Sequence, residues 1–183
     1  MREEFLDITH NAGIQTRIVD CLIEVSFEHI QNKESFLQEY ELFGEKNNDI
    51  ISQVLHTIPK EKDTTSVLIL ELLAQIYQKL AKIEHHIDKS SDALLPLQNK
   101  GVINALGHGI VCCGNAEFVP NGLYYLRFCL PNMPYRFVAV FGEAIDAKVI
   151  KITTMHSSDI MALDSYIANK EMEYLRQKRN KND

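Results

Sequence analysis

The feature that most constrains the fold is a strict heptad repeat in the middle of the chain. In VLILELLAQIYQKLAKIEHHIDK, residues 67–89, branched apolar residues recur at alternating spacings of four and three. The repeat consists of Ile69, Leu73, Ile76, Leu80, Ile83 and Ile87. This period places them along one side of a helix, which a second helix can cover. We predict a heptad coiled-coil helix over residues 64–95 that serves self-association.

The residue types within the repeat indicate how many helices associate. Leu73, Leu80 and Ile87 occupy the a positions, and isoleucine occupies every d position. Leucine at a with isoleucine at d disfavours two strands and favours three or four. Leu70 and Leu72 widen the apolar face, as expected for more than two strands. Lys79 at g and Glu84 at the following e can pair between parallel neighbours. We expect a homo-oligomer, a tetramer, and the alternative is an amphipathic helix buried on its own domain.

The chain before the repeat has the apolar spacing of helices. One set of apolar residues falls on a single helical face, and a second set ends at Gly44, a residue typical of helix ends. These sets are Ile14, Ile18, Leu22 and Val25, then Phe36, Leu37, Tyr40 and Phe43. A third short helix is predicted over residues 47–59, closed by Pro59. We therefore predict a helical N-terminal region over residues 1–63.

After residue 95 the apolar period falls to two, which indicates strands. Residues 123–131 and 136–155 are rich in Val, Ile, Phe and Tyr, and the turn segments 120–122 and 130–134 separate them. Strands at intervals of about ten residues are typical of a small antiparallel barrel. The chain ends in an amphipathic helix. The predicted class is α+β, with the N-terminal helices and coiled coil followed by a β-barrel over residues 96–157 and a C-terminal helix over 158–183.

Composition excludes several classes of function. The 183 residues are 45% hydrophobic, and the net charge of −6 argues against a protein that binds nucleic acid through a basic surface. No run approaches eighteen apolar residues, so we expect no membrane insertion. The first residues lack the apolar segment of a signal peptide, and the four cysteines fit reduced thiols. These features predict a cytoplasmic protein.

The stretch NALGHGIVCCGNAEF, residues 104–118, contains residue types found in zinc sites, catalytic cysteine sites and phosphate-binding loops. Zinc would need cysteines separated by a turn, whereas Cys112 and Cys113 are adjacent and point to opposite faces of a strand. A nucleophilic cysteine with His108 as its base lacks a third orienting group. The glycines are too closely spaced for a phosphate-binding loop and suit a turn or bulge. We predict no catalytic residue, no metal site, no cofactor and no enzyme.

The same stretch resembles a signature of the PilZ domain, the bacterial sensor module for cyclic di-GMP. VINALGHGIVCC is similar to the family's Asp/Asn-x-Ser-x-x-Gly, with Asn104 first, Gly109 last and Leu106 in place of the serine. GLYYLRFCLP and FVAVFGEAIDAKVIKITTM resemble the following strands, and DIMALDSYIANKEMEYLRQKR resembles the terminal helix. The resemblance covers roughly residues 96–181 and implies a PilZ-like barrel.

The chain departs from the family just before the barrel. PilZ domains that bind cyclic di-GMP carry Arg-x-x-x-Arg there, whereas LPLQNKGVI offers only Lys100, and no arginine lies between Arg17 and Arg127. Losing two charged hydrogen bonds weakens binding by roughly a hundred- to ten-thousandfold. We therefore expect cyclic di-GMP to bind weakly or not at all. If a nucleotide binds, the resemblance points to Lys100, Asn104, His108 and Gly109, with Arg127 or Arg136 replacing the missing pair.

Two functions follow from the resemblance. A subset of PilZ-like proteins combines a divergent barrel with a long heptad helix and forms tetramers, and this chain looks like that subset. The first expectation is a non-enzymatic scaffold or adaptor that binds an unidentified bacterial signalling or motility protein, with a candidate contact at Met133, Pro134 and Tyr135. The alternative is a receptor for cyclic di-GMP or another nucleotide that uses a non-standard site.

Overall fold

Six strands and three continuous helices form the described part of the chain. The computed structural model describes residues 2–47, 68–69, 72–73, 75–76, 79–80, 82–83, 86–87 and 94–180. The helices are α1 (Arg2–Asn11), α2 (Glu34–Asn47) and α3 (Ser157–Asn180). The strands are β1 (Ile18–Ile30), β2 (Asn99–Gly107), β3 (Ile110–Cys112), β4 (Leu123–Cys129), β5 (Phe137–Asp146) and β6 (Val149–Met155). The described residues between 68 and 87 are helical as well.

The strands close into an antiparallel barrel in the order β1-β2-β3-β6-β5-β4. β1 pairs with β2 on one side and with β4 on the other, so that Val25 lies between Gly101 and Phe128. Alternate residues of each strand point inward, and Ile103, Leu126 and Val140 in the interior are fully buried. The α+β class with a small antiparallel barrel is confirmed, but the barrel is not confined to residues 96–157, because β1 (Ile18–Ile30) belongs to it.

The first barrel strand lies where the sequence predicted a helix. The helical interpretation of Ile14, Ile18, Leu22 and Val25 is wrong, because residues 18–30 form β1. Its pairing register shifts between Asp20 and Ile23, an irregularity of the kind that an extra residue in a strand produces. This shift interrupts the alternation of buried and exposed residues, so the apolar spacing there imitates a helix. The insertion between β1 and β2 therefore contains α2 and the heptad repeat.

Helix α2 is confirmed but does not end at Gly44. It continues to Asn47, and its aromatic residues Phe36, Tyr40 and Phe43 pack on the outer face of β4 and β5. A side chain at position 44 would collide with the ring of His156, just before α3. Glycine therefore permits close approach of the two helices rather than a helix end. Of the third helix predicted over 47–59, all but Asn47, the last residue of α2, lies outside the described residues.

The other two helices cover different parts of the barrel. Phe5 of α1 packs with Ile18, Ala105 and Ile110 on the outside of the strands. The confirmed C-terminal helix, α3, inserts Leu163 among the residues of the barrel interior. Farther along α3, Met172 and Leu175 are exposed. Among the described residues no helix combines the length and apolarity needed to cross a membrane.

Candidate functional site

The six residues of the heptad repeat, which we call the heptad stripe, are exposed. Ile69, Leu73, Ile76, Leu80, Ile83 and Ile87 are all helical, and each exposes between 49% and 61% of its surface. Leu68 and Leu72 beside them are equally exposed. The stripe is therefore not buried on its own domain, as the alternative interpretation required. Contiguous exposed apolar surface of this kind usually marks an interaction site.

A contact on the flank of the heptad helix places it against the barrel. Nζ of Lys82, at a c position, lies 5.8 Å from the ring centroid of Tyr135 in the turn between β4 and β5. A c position is separated from the a and d positions around the helix, so this contact does not use the stripe. The helix can thus contact its own barrel while the heptad stripe stays exposed to solvent.

The segment that leads from the heptad helix into the barrel is held by a buried carboxylate. Glu39 of α2, which is 4% exposed, accepts a hydrogen bond from the backbone N–H of Leu95 at 2.7 Å. The guanidinium of Arg127 donates to both carboxylate oxygens at 2.8 and 2.9 Å, and the hydroxyl of Tyr125 donates at 2.8 Å. Burial, together with the neighbouring charge of Glu39, raises the pKa of Tyr125. This network fixes the chain at Leu95, four residues before β2, against α2 and β4.

Sequence reasoning missed Glu39, although a signal was present. The apolar face of α2 is formed by Phe36, Tyr40 and Phe43, and Glu39 lies three residues after the first and four before the last. It therefore falls on the buried face of the helix. A carboxylate at such a position requires a buried partner of opposite charge, because burial of an unpaired charge is costly. Arg127 was a suitable partner in the sequence.

The residues considered for a nucleotide lie along one strand and its turn. The Asn104 side-chain oxygen accepts the backbone N–H of Gly114 at 2.6 Å, so it holds the chain after β3. Gly109 has φ of +76°, a conformation that suits glycine in the turn between β2 and β3. Lys100, exposed and paired with Ser26 in the sheet, lies roughly 13 Å along β2 from Asn104. The structure does not bring Lys100 to the turn.

Helices occupy the surroundings of that turn. Nδ1 of His108 lies 2.7 Å from a carboxylate oxygen of Asp164 on α3, and both side chains are about half exposed. Phe5 of α1 covers the outward-facing Ala105 and Ile110 on either side of the turn. The turn is therefore engaged with α1 and α3.

Both arginines considered as substitutes are paired with acidic residues. Arg127 lies against Glu39, and its side chain is only 10% exposed. Arg136 donates to the fully buried carboxylate of Asp159 at 2.6 Å. In these arrangements each guanidinium stabilises the packing of a helix on the barrel.

The four cysteines are thiols, of which Cys112 and Cys113 are buried and Cys21 and Cys129 are partly buried. Cys112 packs under α1 while Cys113 packs in the barrel interior, which confirms that the adjacent pair points to opposite faces. Burial raises the pKa of Cys21 and of Cys113 to about 12, and it also raises that of Cys112. Thiols with such pKa values carry almost no thiolate near neutral pH and are poor nucleophiles. Within the described residues no three His, Cys, Asp or Glu side chains are grouped to hold a metal ion.

Comparison with known proteins gives one structural likeness. No protein family matches the chain, and no curated protein matches it. Its fold is similar to the solved structure of a pathogenic protein from Xanthomonas campestris, described as a tetrameric PilZ domain self-assembled through a helical bundle. The sequences are 11% identical, the TM-score is 0.48, and the match covers 93% of this chain and 99% of the other. The closed six-stranded barrel followed by a helix is consistent with a PilZ-like fold.

Proposed function

We propose that the protein is a non-enzymatic, PilZ-like scaffold or adaptor that self-associates through the heptad stripe. The observation that carries this proposal is the exposure of all six stripe residues along one helix. Covering the exposed half of each side chain would contribute roughly 1 kcal/mol. Six such residues in every chain are sufficient to offset the cost of association when three or four chains share one core.

The barrel is the part that the assembly would present to a protein partner from a bacterial signalling or motility pathway. Of the candidate contact residues, Pro134 and Tyr135 are exposed, whereas Met133 packs against the barrel core. Lys82 approaches the Tyr135 ring, so this turn lies beside the heptad helix. A partner that binds there would contact the barrel and the flank of the helix together.

We propose further that this function does not use tight binding of cyclic di-GMP. A phosphate that recruited Arg127 would take it from Glu39, which would leave a buried carboxylate without its main partner. Recruitment of Arg136 would likewise break its ion pair with the buried carboxylate of Asp159. These costs add to the absence of the family's arginine pair. The receptor alternative has no specific support in the arrangement of Lys100, Asn104, His108 and Gly109.

Substitution within the stripe tests self-association. Ile76→Asp places a charge at a d position, where association would bury it, and we expect the concentration at half-dissociation to rise at least about a hundredfold. Sedimentation velocity over a dilution series measures this change. Gln75→Asp is the matched control, because the exposed c position receives the same residue outside the stripe. If both variants and the unmodified protein had the same concentration at half-dissociation, the proposal would be contradicted.

Calorimetric titration with cyclic di-GMP tests the nucleotide part. We expect no heat of binding up to about 100 μM ligand at physiological ionic strength. A dissociation constant below about 10 μM would favour the receptor function instead. The self-association test is independent of this result, so each half of the proposal can fail separately.

A further inference from the structure

The residues beside the heptad stripe distinguish the possible orientations of the associated helices. The a and d positions form the core of a bundle, and the neighbouring e and g positions face the adjacent helices. The g positions of this repeat are Leu72, Lys79 and His86, which are all exposed, and the e positions are Leu70, Tyr77 and Glu84. Both sets change from apolar to polar along the helix.

A parallel arrangement matches these flanks. Parallel neighbours bring each g residue beside the e residue five positions later in the adjacent copy. Leu72 then lies beside Tyr77, and Lys79 lies beside Glu84. The first pair is apolar and the second has opposite charges, so both contacts are favourable.

An antiparallel arrangement pairs the same residues poorly. With the six stripe residues in register, g positions face g positions and e positions face e positions. Lys79 would meet Lys79 of the next copy, Leu72 would meet His86, and Leu70 would meet Glu84. The apolar flanks would therefore face polar side chains, and like charges would be adjacent.

We propose that further copies of this chain bind the stripe in parallel and in register, an inference that rests on the self-association proposed above. Two contacts then determine where the barrels lie. Glu39 and Arg127 hold Leu95, eight residues after Ile87 of the stripe, and Nζ of Lys82 contacts the ring of Tyr135. All barrels consequently gather around the C-terminal half of one bundle, with equivalent faces related by its axis.

A charge exchange tests the orientation. In a parallel bundle, Lys79→Glu faces Glu84 of the next copy, and we expect the concentration at half-dissociation to rise at least about fivefold at low salt. Adding Glu84→Lys restores opposite charges and returns that concentration to its original range. Lys89→Glu is the control, since it makes the same charge change at a c position. Sedimentation velocity measures all four proteins, and circular dichroism verifies equal helix content.

Each outcome has a separate meaning. The parallel bundle is supported if Lys79→Glu raises the concentration at half-dissociation and the double variant restores it. If Lys79→Glu and the unmodified protein dissociate at the same concentration at high salt, the effect of the substitution is electrostatic. No effect of Lys79→Glu, or no recovery in the double variant, would overturn the parallel orientation while self-association stands. An unmodified protein that remains monomeric throughout would instead overturn the proposed function.

Discussion

Glu39 illustrates how single residues decide the geometry of this molecule. Its carboxylate is buried between α2 and β4 and receives hydrogen bonds from Arg127, Tyr125 and the backbone of Leu95. A buried ion pair contributes less to stability than its Coulomb energy suggests, because both charges lose their hydration. Removing one member is nevertheless expensive, because the other remains buried without compensation. The network therefore specifies one arrangement of α2, the chain at Leu95 and β4.

Substitution of this residue has a large expected cost. Glu39→Ala leaves Arg127 unpaired, and we expect the free energy of unfolding to fall by about 3–5 kcal/mol. Glu41→Ala on the exposed side of α2 changes it by less than about 0.5 kcal/mol. Urea denaturation of both variants measures the difference. If the two substitutions cost the same, Glu39 does not hold the interface as described.

At the scale of elements, the contact between α2 and α3 depends on the absence of a side chain. His156 stacks on Tyr40 with 3.9 Å between ring centroids, and its Nε2 lies 3.0 Å from the Tyr40 carbonyl oxygen. The ring also occupies the space above Gly44, where a Cβ would collide with it. Because the stack and the hydrogen bond hold the ring in place, it cannot move aside without breaking them.

Gly44→Ala tests this packing against helix propensity. In an exposed helix the change would stabilise by about 1 kcal/mol. Here we expect a net loss of about 1–2 kcal/mol, because overpacking outweighs propensity. In a His156→Ala background the obstruction is gone, so Gly44→Ala becomes neutral or stabilising. Thermal and urea unfolding of the four proteins measures this cycle, and a stabilising Gly44→Ala in the original background would refute the close contact.

The elements that the sequence predicted are those with a distinctive local period or composition. The helix α3 and the stripe residues have helical apolar spacing, and β4, β5 and β6 are rich in β-branched and aromatic residues, although the pairing of β5 with β6 shifts register twice. β1 was missed because its register shift near Asp20 disrupts the alternation. The end of α2 was misplaced because the role of Gly44 depends on His156, which is distant in the chain. The arginine pairing was not predicted either, since it joins Glu39 to β4 across the fold.

At the scale of the whole molecule, the heptad stripe and the barrel core are separate surfaces. The barrel buries a complete core with its three helices, and the stripe lies outside that core. If the barrel carries the proposed partner site, a bundle of stripes would place several copies of that site on a single particle. Several linked sites raise the effective concentration for a partner that has more than one copy of its own. Such an assembly suits a scaffold better than it suits a monomeric receptor.

The molar mass of the intact protein tests the central claim most directly. Light scattering coupled to size-exclusion chromatography, repeated from low to high micromolar concentration, gives this mass without any substitution. The account predicts an oligomer, with a plateau at four times the 21.0 kDa chain mass. A constant mass of one chain at every concentration would contradict self-association through the heptad stripe.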